Sequence, residues 1–125
     1  MDYGDNLALG RFGEDFAASY LTSKHYQILK RNFRAKRYGE VDIIARSPDQ
    51  KSLIFVEVKT RIGDEYGAPK EAVTFGKMRE LKKMVDYYYL SNPKEIASPQ
   101  IDVVTVTVES AGSLPILEHL ENVTL

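Results

Sequence analysis

The chain has no cysteine, only two histidines, and a formal net charge of −1 over 125 residues. Each scarcity removes a class of protein. Without cysteine there is no disulfide scaffold, no thiolate metal site and no cysteine nucleophile. His25 and His119 stand far apart in sequence, so neither a histidine-based zinc site nor a catalytic triad is expected. No apolar run approaches the roughly 18 residues of a membrane span. The opening Met-Asp-Tyr-Gly-Asp has neither the basic nor the apolar region of a signal peptide. A soluble, cytoplasmic protein without membrane contact is therefore expected, in which the sequon-like Asn122-Val123-Thr124 carries no weight. The near-zero net charge argues against a globally basic nucleic-acid binder, so phosphate contacts would have to come from a local cluster. No repeat, low-complexity tract or linker interrupts residues 1–125, which read as one domain large enough to bury a core.

What is present is concentrated in residues 39–61. Gly-Glu-Val-Asp-Ile-Ile-Ala-Arg and Ser-Leu-Ile-Phe-Val-Glu-Val-Lys-Thr-Arg both read as strands, joined by the turn residues Ser47-Pro48-Asp49-Gln50. A turn centred between Asp49 and Gln50 sets Arg46 against Leu53 and, counting back, Asp42 against Glu57. Directly opposed residues have Cβ atoms roughly 4.5 to 5.5 Å apart, where two like charges are destabilising unless something neutralises them. Lys59 shares the face of Glu57, about 6.6 Å further along the strand. Glu40 shares the face of Asp42 at the strand edge, and the same register pairs it with Lys59. The reverse face carries Val41, Ile43, Ile54, Val56 and Val58, an apolar set suited to packing under helices. Two carboxylates beside an amine suit a hard cation, since Mg²⁺ is held by one or two carboxylates plus waters and substrate phosphates. Lys59 would then orient or deprotonate an attacking water, or stabilise charge on a phosphate.

Around this hairpin the periodicities predict a helix over 5–23, with an apolar stripe of Leu9, Phe12, Phe16, Ala17, Tyr20 and Leu21. A strand follows over 26–33, then a basic turn, Arg34 to Tyr38. Residues 62–72 read as a loop beside the site, able to close over nucleic acid. Thr74 is placed to cap a helix running to about Leu90, stopped by Asn92-Pro93. The β-branched run 101–108 predicts a strand buried on both faces and paired parallel through a crossover. Leu114 to Leu120 returns as an edge strand. Gly10-Arg-Phe-Gly13 is not a phosphate loop, because it follows no strand and lacks the Lys-Ser/Thr. Asp102 reads as a structural acid. Tyr87-Tyr88-Tyr89 points three ways on a helix, which favours packing or a dimer surface over base stacking.

Asp42 followed by Glu57-Val58-Lys59 resembles the signature of the PD-(D/E)-x-K nuclease superfamily, with Val41 where that pattern commonly has proline. Gly13-Glu14, Arg31-Asn32-Phe33, residues 39–45, residues 55–61, Lys77 and Asp102-Val103-Val104 together resemble the bacterial YraN-like family, related to archaeal Holliday-junction resolvases. The resemblance spans most of residues 8–106. It implies an α/β, restriction-endonuclease-like fold: a central mixed sheet with an antiparallel meander, flanked by helices. It also implies a Mg²⁺- or Mn²⁺-dependent endonuclease acting on DNA, branched or single-stranded, with Glu14 joining Asp42 and Glu57 as a third acidic ligand and Glu40 behind them. Lys77 matches a family position within reach of a phosphate, and the resolvase likeness raises the prospect of a homodimer.

Lys30, Arg31, Arg34, Lys36 and Arg37 form the local basic cluster. As a phosphate-binding stretch, Arg31, Arg34, Lys36 and Arg37 would act with Lys77; the plainer reading is a solvated strand end. Two rivals to the nuclease follow: a catalytically silent nucleic-acid binding or scaffold domain, and a protein-interaction domain in DNA processing.

Overall fold

A computed structural model describes residues 6–63, 71–109 and 112–123. The order of elements is α1 (Asn6–Ser23), β1 (Gln27–Ala35), β2 (Gly39–Arg46), β3 (Ser52–Ile62), α2 (Phe75–Ser91), β4 (Ser98–Val108) and β5 (Ile116–Leu120). The five strands form one sheet in sequence order. β1, β2 and β3 make an antiparallel meander, β4 runs parallel to β3 after α2, and β5 returns antiparallel on the edge. This is the mixed, helix-flanked sheet of the restriction-endonuclease-like class. Residues 64–70, most of the segment read as a loop over the site, lie outside the described residues.

Local chemistry accounts for the boundaries. The Thr74 hydroxyl accepts the Lys77 N–H at 3.1 Å, capping α2, and the helix ends where the Asn92 N–H bonds the Tyr89 carbonyl. At the β2–β3 turn Gln50 adopts φ 65°, and the Asp49 carboxylate accepts the Lys51 N–H and the Ser47 hydroxyl.

The sheet buries both faces. Leu53, Phe55 and Ile44 pack with Leu81, Met84 and Tyr88 of α2. Ile54, Val56, Ile43 and Ala45 pack with Ala17 and Leu21 of α1. The alternation along β3 thus sorts its side chains between the two helices. One assignment is corrected. Val41 packs in the α2 cluster rather than with Ile43. The cause lies one strand away. Arg31 reaches Asp15 of α1, whereas Phe33, two residues on, stacks against Tyr87 and Tyr88 of α2. Between them Asn32 has φ 52°, a left-handed conformation that breaks the alternation. Because Arg31 registers with Ile43 and Phe33 with Val41, both strands exchange faces at one point, where Asn32 lies across from Asp42.

Candidate active site

The hairpin register is as expected where the ladder runs, from Arg46↔Leu53 to Ile43↔Val56. The paired register stops there, one position short of Asp42. The Asp42 carboxylate instead accepts the Val58 N–H at 2.8 Å, taking the place of a ladder acceptor. The expected pairing of Glu40 with Lys59 therefore does not form. Glu40 bonds the Arg34 guanidinium at 2.8 Å, and its N–H donates to Glu80 at 3.1 Å.

The separation of the two strands opens a cleft of about 470 Å³ lined by Glu14, Arg34, Glu40, Asp42 and Lys59, among others. Glu14 arrives from α1 because the helix lies very close to β3. A Cβ on Gly13 would collide with the Thr60 side chain, so only glycine permits that approach. Glu57 reaches the site from the α2 side and shares a carboxyl–carboxyl hydrogen bond with Asp42. Glu14, Asp42 and Lys59 thus line one cleft, while Glu57, which does not line it, lies against Asp42. The three carboxylates do not come within 4.8 Å of one another as a single group.

Burial and mutual repulsion outweigh the nearby cations, Lys77 for Glu57 and Asp42 and Arg31 for Glu14. Burial first, and then the negative charge of Asp42, push Glu57 up to about 8. Burial also raises Asp42 above its ordinary value, against the opposing pull of the Val58 N–H. Glu14 is raised by burial and by Asp42. Three buried side-chain oxygens have no hydrogen-bond partner among the described residues, and two of them are Glu14 Oε1 and Glu57 Oε1. The third, Thr105 Oγ1, belongs to the residue beside Lys59 in the β3–β4 register. Orphaned buried acceptors are costly unless something fills the space between them.

The basic residues are divided. Lys77 Nζ lies 2.8 Å from Glu80 and 3.8 Å from Glu57. Burial lowers its basicity, yet the surrounding carboxylates outweigh that and hold it above its ordinary value. Lys77 thus braces Glu57 before it meets any phosphate. Arg31 and Arg34 are engaged with Asp15 and Glu40, while Lys36 and Arg37 are exposed at the β1–β2 turn.

Sequence reasoning missed Glu80, which links Lys77 to the Glu40 backbone and lies against Gly39, where a Cβ would strike it. Its spacing of three residues from Lys77 on one helix was the available signal. His119 was expected to be isolated, and it is not. With Asp102 and Glu121 it offers ligand atoms all within 4.8 Å of one another, a group able to hold a metal ion. Asp102, however, accepts from His119 Nε2, Gln100 and the Asn122 N–H, and His119 Nδ1 meets the Tyr20 hydroxyl. Its donors and acceptors are matched internally, as expected of a structural acid, whereas those of the cleft are not.

Sheet order, flanking helices and an acidic cleft at a strand separation define an α/β protein of restriction-endonuclease-like architecture. Residues 13–106 match the uncharacterised protein family UPF0102, and the chain belongs to this YraN-like family of the PD-(D/E)-x-K group. It is similar to a UPF0102 protein of Rhodococcus opacus, 44% identical over 117 residues and covering 94% of this chain and 96% of the relative. It is also similar to one of Mycobacterium tuberculosis, 42% identical over 119 residues and covering 94% and 92%. Among solved structures, Pyrococcus furiosus SfsA in complex with Ca²⁺ aligns at 15% identity with TM-score 0.35, over 96% of this chain and 67% of that one. No helix among the described residues is long and apolar enough to cross a membrane.

Proposed function

We propose that the protein is a metal-dependent endonuclease that hydrolyses phosphodiester bonds of DNA, branched or single-stranded, in the cytoplasm. One observation supports this reading: Glu14 of α1 and Asp42 of β2 line one cleft with Lys59, Glu57 of β3 lies against Asp42, and Glu14 Oε1 is buried without a hydrogen-bond partner. Hard oxygen ligands with spare acceptor capacity suit Mg²⁺ or Mn²⁺. Asp42, Glu57 and Glu14 would hold the ion, which when bound supplies a Lewis acid for the phosphate and makes a water more acidic.

The chain's own residues do the rest. The Val58 N–H fixes Asp42 Oδ2 and with it the orientation of the carboxylate at the cleft. Lys77 and Glu80 hold Glu57 from behind. Lys59, exposed in the cleft, orients the attacking water or stabilises charge growing on the phosphate oxygens. The Lys36–Arg37 turn receives the neighbouring phosphates. Glu40 acts behind the ligands by occupying Arg34.

The test is cleavage of branched, flapped, single-stranded and duplex DNA, plus RNA, with Mg²⁺, Mn²⁺ or chelator, beside a Lys59→Ala protein purified identically. Metal-dependent cutting of DNA that is lost in the variant is expected. Cutting that survives Lys59→Ala refutes the assignment. Salt-sensitive binding with no cutting in any metal transfers the protein to the silent binding class.

A further inference from the structure

An aromatic column runs through the molecule and ends in solvent. It starts at Phe55, which is fully buried, and passes to Tyr88 at 5.6 Å and to Phe33 at 5.7 Å between ring centroids. From Phe33 it continues to Tyr87 at 6.1 Å and then to Tyr38 at 5.5 Å, where the planes are inclined by only 31°. Tyr38 is the last ring and is 48% exposed. It sits at the tip of the β1–β2 turn, whose N–H-to-carbonyl bond to Ala35 holds the turn closed at 2.9 Å.

Two features separate this ring from an ordinary surface tyrosine. One side rests on Tyr87 in a tilted ring contact, so its orientation is set before any ligand arrives. Its immediate neighbours Lys36 and Arg37 are exposed, and neither has an ion pair among the described residues. A fixed aromatic face beside unneutralised cations is the combination that binds single-stranded nucleic acid, with base on ring and phosphate on cation. Tyr38 is also four residues from Asp42, at most about 13 Å along an extended strand.

Resting on the nuclease reading of the adjacent cleft, we infer that Tyr38 is a stacking platform for an unpaired base of the DNA strand whose phosphates enter that cleft. In an intact duplex the base faces are already covered by their neighbours, so the platform engages only single-stranded or unpaired regions.

The experiment uses the full chain with Asp42→Asn in chelator, so that no cutting occurs and binding is read alone. A single strand carrying 2-aminopurine is compared with the blunt duplex of the same sequence, for the parent, Tyr38→Phe and Tyr38→Ala. Tyr38→Ala should weaken single-strand binding about tenfold and abolish the 2-aminopurine quench. Tyr38→Phe should retain both, and duplex affinity should not change. Equal losses on single strand and duplex, an unchanged quench in Tyr38→Ala, or no binding to either probe would each overturn the inference. A protein that shows the Tyr38 dependence yet never cuts keeps the platform and loses the nuclease. One that cuts without Tyr38 dependence does the reverse.

Discussion

Glu57 is the residue on which the electrostatics of the cleft turn. Its ordinary value is 4.5, and in the folded protein it is pushed up to about 8, first by burial and then by Asp42. A carboxyl raised on folding stabilises in the sense opposite to a salt-bridged one. Its contribution is complete below the unfolded value and is lost as pH rises through the folded one. Metal-free protein should therefore lose thermal stability between about pH 4.5 and pH 8. Glu57→Gln should remove most of that slope and melt higher than wild type at pH 8, as scanning calorimetry at a series of pH values would show. A slope unchanged in the variant would mean that Glu57 does not carry the proton. The nearness of Asp42 and Glu57 could be read by counting register back from the turn, although the paired ladder itself ends at Ile43↔Val56. The proton they share could not be, because it depends on burial by helices distant in sequence.

At the scale of elements, two local features build the site. The first is the contact of α1 with β3 at Gly13. Gly13→Ala forces the helix away from Thr60, an overpacking that should cost about 1 to 3 kcal/mol in urea denaturation. It should also withdraw Glu14 and weaken Mn²⁺ binding by calorimetry, with Thr60→Ala restoring part of both. The second is Asn32. Its φ of 52° suits Asn or Gly, and a β-branched residue there is strained by about 1 to 2 kcal/mol. Asn32→Gly should stay close to wild-type stability, while Asn32→Val should be destabilised by roughly that amount and lose the Arg31–Asp15 contact. Helices, strands and the Thr74 cap could be read from periodicity and capping chemistry. The exchange of faces at Asn32 could not, because period-two reasoning assumes unbroken extended backbone. Val41 was misplaced for that reason alone.

For the molecule as a whole, the net charge of −1 conceals an uneven field. Arg31 and Arg34 are paired with acids, leaving Lys30, Lys36 and Arg37 as the exposed cations of the stretch that have no ion pair among the described residues. Few counterions should therefore be released on binding DNA. Arg37→Ala should reduce the slope of log K against log salt by about 0.7 for a single strand, and Asp42→Asn should leave that slope unaltered. Fluorescence anisotropy over a salt series measures both. Counting charges in the sequence identified this cluster but could not tell which members were already neutralised. Asp15 lies 16 residues from Arg31, and only the fold brings them together.

The Gly39–Glu80 contact and the Lys77 brace tie the cleft to α2, as the Gly13 contact ties it to α1. Glu14, Asp42, Glu57 and Lys77 belong to four separate elements. The three acids proposed as ligands, Glu14, Asp42 and Glu57, are aligned only when α1 packs on the β2–β3 hairpin. If the proposed ion binds here, it would have almost no affinity for the unfolded ensemble, and its binding energy would appear as folding stability. Divalent metal at one hundred times its dissociation constant should add about 2.7 kcal/mol. On the proposed function, metal would be acquired only once α1 and the hairpin have packed together.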